Sequence, residues 1–439
     1  MRILKLSAEK VYGHLNLSIE FKSNITFLTG GNGSGKTTAL RLILALVSPS
    51  LQDLDLIPHD NATLIIEYDG DVYSITSQII ESFIQLSVSN ISEKLEYKRL
   101  DYDQYDDRPN VERRVGEHYS ILEDKLSDHP VIKFLTQIET PTFLGLERRQ
   151  RESVLSSQKY PYRRAPSRRT PFRGTLGASL NEIQGLVQSY FRRIRIRHDS
   201  INDKLKEEIL LSAFQYEPLQ QELSFSDLPS PQWQDRELIN RKRKEIEEAL
   251  IGLGIDQKRF KDIIANFFDQ LVRLASAGIE KESAEFIEWI INKPQIDRIT
   301  RIFNIVDDYN DKVSNLFAPV ESFLSLVNRF FDDSGKNLKI DSVGWLEVRQ
   351  KGQVPKSIES LSSGERQIVV ILAHLFISEQ MKRTGLFIVD EPELSLHLKW
   401  QEIFVDSLLE ASPSTQFVLA THSPSIVLDR EDNFLSIGD

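Results

Sequence analysis

Residues 29–38 read TGGNGSGKTT, and this stretch decides the fold. The apolar and β-branched residues in NITFLTG just before it predict a strand, and the apolar spacing of KTTALRLILALVS just after it predicts a helix that stops at Ser48-Pro49. Residues 30–37 fit the pattern G-x-x-x-x-G-K-[ST], whose glycines let successive backbone N–H groups surround a phosphate. The new helix points its N-terminal dipole at the same charge. The stretch therefore predicts a phosphate-binding loop between a strand and a helix.

Two residues of this loop have distinct expected roles. Lys36 should reach the β- and γ-phosphates of a nucleotide, and the hydroxyl of Thr37 should bind Mg²⁺. A glycine-rich turn with a surface lysine is the alternative, but the strand and helix on either side favour the phosphate loop. The predicted ATP-contacting residues of the loop are Gly30, Asn32, Gly33, Ser34, Gly35, Lys36, Thr37 and Thr38.

A second predicted strand, LFIV at 386–389, ends in two adjacent carboxylates. We expect Asp390 to bind Mg²⁺ and Glu391 to orient or deprotonate the attacking water, because hydrolysis needs both a metal ligand and a base. A strand that ends in a solvated acidic turn is the alternative. The presence of Lys36 favours the catalytic interpretation.

LSSGE at 361–365 precedes a predicted helix. Ser362, Ser363 and Gly364 lie where the first N–H groups of that helix would attract an anion, although a Ser–Glu capping box explains the same residues. Together with the other motifs, LSSGE resembles the L-S-G-G-Q signature of the ABC-type ATPases, which include transporter motors, SMC proteins and DNA-repair ATPases. Ser363 and Glu365 depart from that pattern.

The resemblance implies how the motifs work together. In that family two chains enclose two ATP molecules, and the signature of one chain contacts the γ-phosphate bound by the other. His422, which follows the apolar run FVLAT, resembles the switch histidine that contacts the γ-phosphate. The catalytic residues implied are thus Lys36, Glu391 and His422. Tyr12 and His14 lie where adenine-stacking residues occur in the family.

The branch of the family is indicated by DEPELSLHLKWQ, which starts at Asp390, followed by THSP at 421–424. These runs resemble the overcoming-lysogeny-defect type among the SMC- and RecF-like ATPases. Nucleases of that type carry a Toprim domain after the ATPase, whereas this chain ends seventeen residues beyond His422, so we expect it to lack that domain. It is therefore similar to the stand-alone ATPase subunits of the PARIS and Septu anti-phage systems. His397 is explained by packing at a helix start as well as by catalysis.

The chain reads strand–helix–strand at both ends, with helical patterns between them. We predict an α/β fold: an ABC-type P-loop ATPase domain with a mixed or antiparallel N-terminal β-sheet and a helical insertion. Asp69-Gly70 predicts a hairpin turn in the N-terminal half. Residues 180–216 read as one long helix, and 282–292 and 299–331 as further helices. The predicted parts are 1–150 with the phosphate loop, 151–335 with a basic loop and the helical insertion, and 336–439 with the signature, the carboxylate pair and His422.

Composition limits the possible chemistry. The 439 residues carry a net charge of −11 and no cysteine, which excludes disulfides, thiolate zinc sites and a cysteine nucleophile. The longest apolar runs fall short of the ~18 residues of a membrane span, and no signal pattern is visible, so we expect a cytoplasmic protein without a membrane partner. Residues 148–197 carry thirteen Arg or Lys against Glu152 and Glu182, a local charge of +11. This segment predicts attraction to DNA or to an acidic partner.

Two functions compete. The favoured hypothesis is an ATPase sensor or scaffold of anti-phage defence that holds and releases a separate effector, a Toprim-type or other nuclease or a toxin. Its expected partners are that effector and further copies of this chain, bound through the ATP sandwich and the helical insertion. The alternative is a RecF- or SMC-like ATPase of DNA repair or maintenance that binds DNA through 148–197. A transporter motor is disfavoured by the long gap from Lys36 to Ser362.

Overall fold

The computed structural model describes residues 1–48, 50–100, 108–138, 141–145, 175–213, 236–252, 256–276, 284–380 and 385–437. The chain forms two compact units. One comprises Met1–Tyr190 with Val320–Asp439, and the other comprises Phe191–Pro319. Most of the predicted basic loop, residues 151–174, lies outside the described residues.

The strands lie in the two end regions of the chain, and the middle is helical. In chain order the strands are β1 (Arg2–Val11), β2 (Leu15–Glu20), β3 (Ile25–Thr29), β4 (Asn61–Tyr68), β5 (Asp71–Ile80), β6 (Phe83–Val88), β7 (Leu95–Lys98), β8 (Thr142–Leu144), β9 (Lys336–Ile340), β10 (Leu346–Gln350), β11 (Lys356–Ser357), β12 (Leu386–Asp390), β13 (Gln416–Ala420) and β14 (Phe434–Ser436).

The helices are of two kinds, short ones that cover the sheets and long ones in the middle of the chain. They are α1 (Lys36–Val47), α2 (Leu51–Asp55), α3 (Arg108–Leu126), α4 (Pro130–Gln137), α5 (Thr175–Ala213), α6 (Arg236–Gly252), α7 (Gln257–Ser276), α8 (Ala284–Phe331), α9 (Ser363–Gln380), α10 (Leu398–Ala411) and α11 (Pro424–Val427).

A five-stranded parallel sheet lies at the centre of the first unit, in the order β14-β3-β13-β12-β8. Strands β12 and β13 are buried along their whole length, as their apolar runs LFIV and FVLA require. Because all five strands run the same way, their carboxyl ends meet at one edge. The phosphate loop after β3, the carboxylates after β12 and His422 after β13 therefore share that edge.

A six-stranded antiparallel sheet, in the order β2-β1-β4-β5-β6-β7, forms the N-terminal half. The predicted hairpin at Asp69-Gly70 is confirmed: both residues have positive φ, 53° and 88°, and Tyr68 pairs with Asp71. Helix α1 is apolar on nearly all sides, and its residues belong to one core cluster with those of both sheets. The predicted α/β fold with an antiparallel N-terminal sheet is confirmed.

The middle of the chain is helical, as predicted, but the number and the ends of its helices differ from the prediction. The long helix expected at 180–216 is present as α5. The two helices expected at 282–292 and 299–331 form one, α8, which runs through Pro294. A proline inside a helix lowers the stability of that helix by about 3 kcal/mol, because it removes one backbone hydrogen bond and clashes with the preceding turn. The helical segments on both sides of Pro294 are long enough to continue the helix despite this local loss.

The second unit has its own packing. Phe268 of α7 stacks on Phe303 of α8 with ring centroids 5.8 Å apart. The ammonium group of Lys242 in α6 contacts the carboxylate of Asp307 at 2.5 Å, and Tyr309 donates a hydrogen bond to Asn202 at 2.8 Å.

Within the described part of the chain, no helix is both long and apolar enough to cross a membrane.

Candidate nucleotide-binding site

The loops at the carboxyl edge of the parallel sheet are joined by backbone hydrogen bonds. The N–H of Glu391, after β12, donates to the carbonyl of Ala420 at 2.8 Å. The N–H of Thr421, after β13, donates to the carbonyl of Leu28 in β3 at 3.0 Å. These bonds extend the sheet by one residue and bring the phosphate loop, the carboxylate pair and His422 into one site.

The phosphate loop needs its glycines. Gly30, Gly33 and Gly35 have φ of 141°, 82° and 101°, a region that favours glycine. A Cβ on Gly30 would lie 2.4 Å from the carbonyl oxygen of Ile437. One on Gly35 would lie 2.4 Å from Cδ2 of Leu15, which places the start of β2 beside the loop. The glycines thus allow a cradle-shaped backbone that packs closely against Ile437 and Leu15.

Lys36 lies in this cradle. Its Nζ donates to the carbonyl oxygens of Gly30 at 2.9 Å and Gly31 at 3.0 Å. Burial lowers the pKa of Lys36, and the carboxylates of Asp390 and Glu391 oppose that shift. The arrangement holds a cation at the mouth of the loop, where a phosphate would be attracted.

Thr37 and Asp390 form the second feature of the site. The Thr37 hydroxyl donates to Oδ2 of Asp390 at 2.9 Å, and Asp390 is only 2% exposed. A hydroxyl and a carboxylate side by side are the oxygen donors that Mg²⁺ accepts next to nucleotide phosphates. The residues present therefore fit a magnesium ion.

The rest of the loop completes the cradle. The N–H of Ser34 donates to the carbonyl of Gly31 at 3.2 Å, and Ser34 Oγ lies 3.5 Å from Lys36 Nζ. Asn32 is exposed, and Thr38 is half-buried in the first turn of α1. Gly30, Gly31 and Ser34 thus contact the Lys36 ammonium group, and Asn32 and Thr38 lie on the same segment of the chain.

Glu391 has a left-handed backbone, with φ of 49°. Such a conformation is uncommon for a residue with a side chain and is found mainly where the surrounding structure imposes it. Here the bond from its N–H to Ala420 and the bond from the N–H of Leu394 to its carbonyl, at 3.2 Å, hold the turn. The turn places the side chain of Glu391 directly after Asp390 at the sheet edge.

Glu393 is a site residue that the sequence did not single out. Its Oε1 accepts a hydrogen bond from the N–H of His422 at 2.6 Å, and its Oε2 accepts one from the hydroxyl of Thr421 at 2.8 Å. The second glutamate of the DEPE run at 390–393 is the sequence signal for this residue. The exposed His422 lines a cleft of about 560 Å³ with Thr29 and Gly30.

The LSSGE segment forms the capping box that was the alternative interpretation. The N–H of Ser362 donates to Oε2 of Glu365 at 2.7 Å, and the N–H of Glu365 donates to Ser362 Oγ at 3.4 Å. A Cβ on Gly364 would lie 2.4 Å from the carbonyl oxygen of Ser395, so this glycine allows close packing. Ser362 and Ser363 are exposed. A capping box and an anion-binding helix start are compatible, because the box leaves other first-turn N–H groups available.

His397 has a structural explanation. It is the N-cap of α10, and its Nδ1 accepts a hydrogen bond from the N–H of Lys399 at 3.4 Å. Tyr12 and His14 lie in the turn that ends just before Leu15, whose side chain contacts Gly35. The turn is thus near the phosphate loop.

Comparison with known proteins identifies the family. The AAA ATPase domain family matches residues 10–427, and the chain belongs to it. The fold and the site thus define a P-loop ATPase.

Two similar bacterial proteins are named as probable ATPases of retrons. The Retron Vc95 probable ATPase of Vibrio cholerae serotype O1 biovar El Tor is 26% identical over 184 residues, which are 39% of this chain and 34% of that protein. The Retron Ec83 probable ATPase of Escherichia coli is 28% identical over 99 residues, 20% of this chain and 18% of that protein. The match thus spans about a third or less of the length of these relatives.

Smc proteins are also similar. The chromosome partition protein Smc of Methanocaldococcus jannaschii is 22% identical over 200 residues, 42% of this chain and 16% of that protein. Among solved structures, the Smc head domain with an extended coiled coil, derived from Pyrococcus furiosus and bound to the C-terminal domain of ScpA, is 15% identical with a TM-score of 0.40. That alignment covers 99% of this chain and 93% of the other.

Proposed function

We propose that the protein binds ATP with Mg²⁺ and hydrolyses it, and that it acts as the sensor and scaffold ATPase of an anti-phage defence system. In this role it holds a separate effector, a nuclease or a toxin, and releases it. The observation that carries the ATPase proposal is the 2.9 Å contact between Thr37 and Asp390 beside a glycine cradle that contains Lys36.

The chemistry follows from these side chains. The Lys36 ammonium group and the N–H groups of residues 31–37 bind the β- and γ-phosphates. Thr37 and Asp390 would hold Mg²⁺, which when bound neutralises charge on the phosphates. Glu391 orients the attacking water and accepts its proton, and His422 donates a hydrogen bond to the γ-phosphate.

A second copy of the chain completes the proposed site. Ser362 and Ser363 are exposed at the start of α9, with the first N–H groups of that helix beside them. Presented to a neighbouring chain, this helix start is suited to the γ-phosphate held there. ATP would then join two chains, and hydrolysis would separate them.

The defence role is supported by the similarity to the two retron probable ATPases. The helical unit 191–319 is the proposed surface for further copies or for the effector. Affinity purification from the native host, followed by mass spectrometry, tests this role. A neighbouring nuclease or toxin in the purified complex is the expected result, and a chain that captures no effector in either nucleotide state contradicts it.

Two substitutions test the ATPase site. Lys36→Ala is expected to abolish nucleotide binding, measured by titration with a fluorescent ATP analogue. Glu391→Gln is expected to retain binding and lose hydrolysis, since it keeps the shape of the side chain and removes the base. Exposed Glu402 of α10, changed to Gln, is the matched control. Equal turnover in all four proteins would contradict the catalytic assignment.

DNA binding is a second candidate, favoured by one observation. Arg192, Arg193 and Arg197 are exposed on α5, within the basic segment 148–197. Contacts between such side chains and phosphates make affinity fall steeply with salt, with a slope near −0.9 per phosphate neutralised. If this candidate is correct, changing the three arginines to Ala lowers duplex affinity and flattens the salt dependence. Unchanged binding in the variant excludes this surface.

A further inference from the structure

Two glutamates follow Asp390 on one loop, and their contacts distinguish them. Both carboxylate oxygens of Glu393 accept hydrogen bonds from the loop after β13: Oε1 from the N–H of His422 at 2.6 Å and Oε2 from the hydroxyl of Thr421 at 2.8 Å. An ionised carboxylate is an acceptor only, and its bonds to donors are stronger than those between neutral groups. Glu393 is therefore engaged with the neighbouring loop, and this role differs from that of a proton acceptor.

The same loop is held by a closed series of hydrogen bonds. The oxygen of Thr421 accepts from the N–H of Ser423 at 3.0 Å, and the hydroxyl of Ser423 donates to Oε1 of Gln401 at 2.5 Å. Gln401 Nε2 in turn donates to the carbonyl of Leu396 at 2.9 Å, three residues beyond Glu393. The N–H of Leu396 donates to the carbonyl of Glu393 at 2.9 Å and closes the series, so the residues on both sides of His422 are held by hydrogen bonds.

These hydrogen bonds also extend to α9, the helix that begins in the LSSGE segment. Buried Gln367 of α9 donates from Nε2 to the carbonyl of Pro392 at 2.8 Å. Pro392 lies between Glu391 and Glu393. The loop after β12 therefore contacts α9 on one side and the His422 loop on the other.

We propose that Glu393 is a positioning residue for His422. It holds the His422 N–H and the Thr421 hydroxyl, and so fixes the backbone that carries the imidazole at the cleft shared with Gly30, where the γ-phosphate would lie. The proposal rests on the proposed ATPase function. Misplacement of a catalytic group by about 1 Å costs on the order of 100-fold in rate, so loss of Glu393 should lower kcat with little effect on nucleotide binding.

The first experiment measures Mg-ATP hydrolysis by the full chain. Glu393→Ala is expected to lower kcat about 10- to 100-fold, with KM and the Kd of an ATP analogue within about twofold. Glu393→Gln, which keeps the shape and can still accept one of the two bonds, is expected to fall between Ala and the wild type. Glu402→Gln is the matched control, and thermal unfolding verifies that each variant folds.

A double-mutant cycle separates positioning from a merely structural role. If Glu393 acts through His422, Glu393→Ala lowers kcat no further in a His422→Ala background. Thr421→Val should lower kcat, and Thr421→Ser, which keeps the hydroxyl, should restore most of it. Additive losses, or a fall in affinity equal to the fall in rate, overturn the proposal.

Different results would contradict the proposed ATPase function and the positioning role of Glu393. A wild-type chain that hydrolyses no ATP overturns the proposed function and this inference with it. A wild-type chain that hydrolyses ATP while Glu393→Ala does so at the full rate overturns this inference alone. Should Glu393→Ala fail to fold, Glu393→Gln and the Thr421 pair decide the outcome.

Discussion

At the scale of single residues, the phosphate loop depends on backbone geometry that only glycine adopts without strain. Gly30 combines a φ of 141° with a carbonyl oxygen, that of Ile437, 2.4 Å from where a Cβ would lie. We expect Gly30→Ala to destabilise the protein by about 1–3 kcal/mol and to weaken ATP binding, because the loop must shift away from the strand end. Urea unfolding and titration with an ATP analogue measure the two effects.

Gly31 provides the matched control for this prediction. A Cβ there would meet nothing within 4 Å, and Gly31 lacks a positive φ. Gly31→Ala should therefore leave the free energy of unfolding within about 0.5 kcal/mol of the wild type. Similar losses in both variants would show that the clash at Gly30 is not the cause.

His374 is the second residue whose environment gives a measurable prediction. It is 1% exposed in α9, and its Nε2 has no hydrogen-bond partner among the described residues. Burial lowers the pKa of His374 to about 4. The unfolded chain therefore binds a proton at higher pH than the folded chain, and the histidine destabilises the fold as the pH falls from about 6.5 toward 4.

His374→Leu should remove this contribution. Relative to the wild type, the variant should gain about 3 kcal/mol of stability between pH 7 and pH 4, as the pKa difference implies. Urea unfolding at a series of pH values measures the gain, and the subtraction cancels groups that both proteins share. A constant difference between the two proteins across that range would contradict the assigned pKa of His374.

At the scale of elements, the start of α9 is held by an ion pair that the signature resemblance did not predict. Glu365 is 4% exposed, and Lys336, the first residue of β9, contacts its carboxylate at 2.8 Å. Burial alone would raise the pKa of Glu365, but the bonds from Lys336 and from the N–H of Ser362 outweigh it and lower the pKa. Glutamate is thus accommodated where the resembled signature has glutamine.

Lys336→Met should leave a buried carboxylate without its cation and destabilise the protein by about 1–3 kcal/mol, reduced from the cost for a fully buried pair because Lys336 is partly exposed. Adding Glu365→Gln should recover most of the loss, because glutamine keeps an acceptor for Ser362. The cycle is measured by urea unfolding at pH 7. The coupling should disappear as the pH falls through the lowered pKa of Glu365, since protonation removes the charge. Additive effects at pH 7 would exclude the pair.

The elements that the sequence predicted well are those with a local cause. The strand before Gly30, the helix after Lys36 and the hairpin at Asp69-Gly70 each follow from residues adjacent in the chain. Glu393 and Lys336 could not be assigned this way, because their partners lie 28 or 29 positions away in the chain. The continuity of α8 through Pro294 was also missed, since a proline normally indicates a helix boundary.

At the scale of the whole molecule, the ATPase unit is formed by the two ends of the chain, and the helical unit is formed by its middle. The sequence predicted a helical insertion at 151–335, and the compact helical unit spans Phe191–Pro319. Residues 1–190 and 320–439 share one core, in which β3 from the N-terminal part lies between β13 and β14 from the C-terminal part. The phosphate loop and the carboxylate pair therefore come from opposite ends of the sequence, and each part is incomplete alone.

The proposed ATP sandwich is testable at this scale, because the γ-phosphate contact would come from a second chain. Glu391→Gln should form a dimer with Mg-ATP, observed by size-exclusion chromatography with light scattering. Adding Ser362→Arg should prevent the dimer while leaving ATP-analogue binding intact, since a bulky side chain at the exposed helix start would obstruct the other chain. Exposed Ser92, between β6 and β7, changed to Arg in the same background, is the control. A dimer that persists with Ser362→Arg would mean that chains associate through another surface, and loss of analogue binding would mean that Ser362 acts within its own chain.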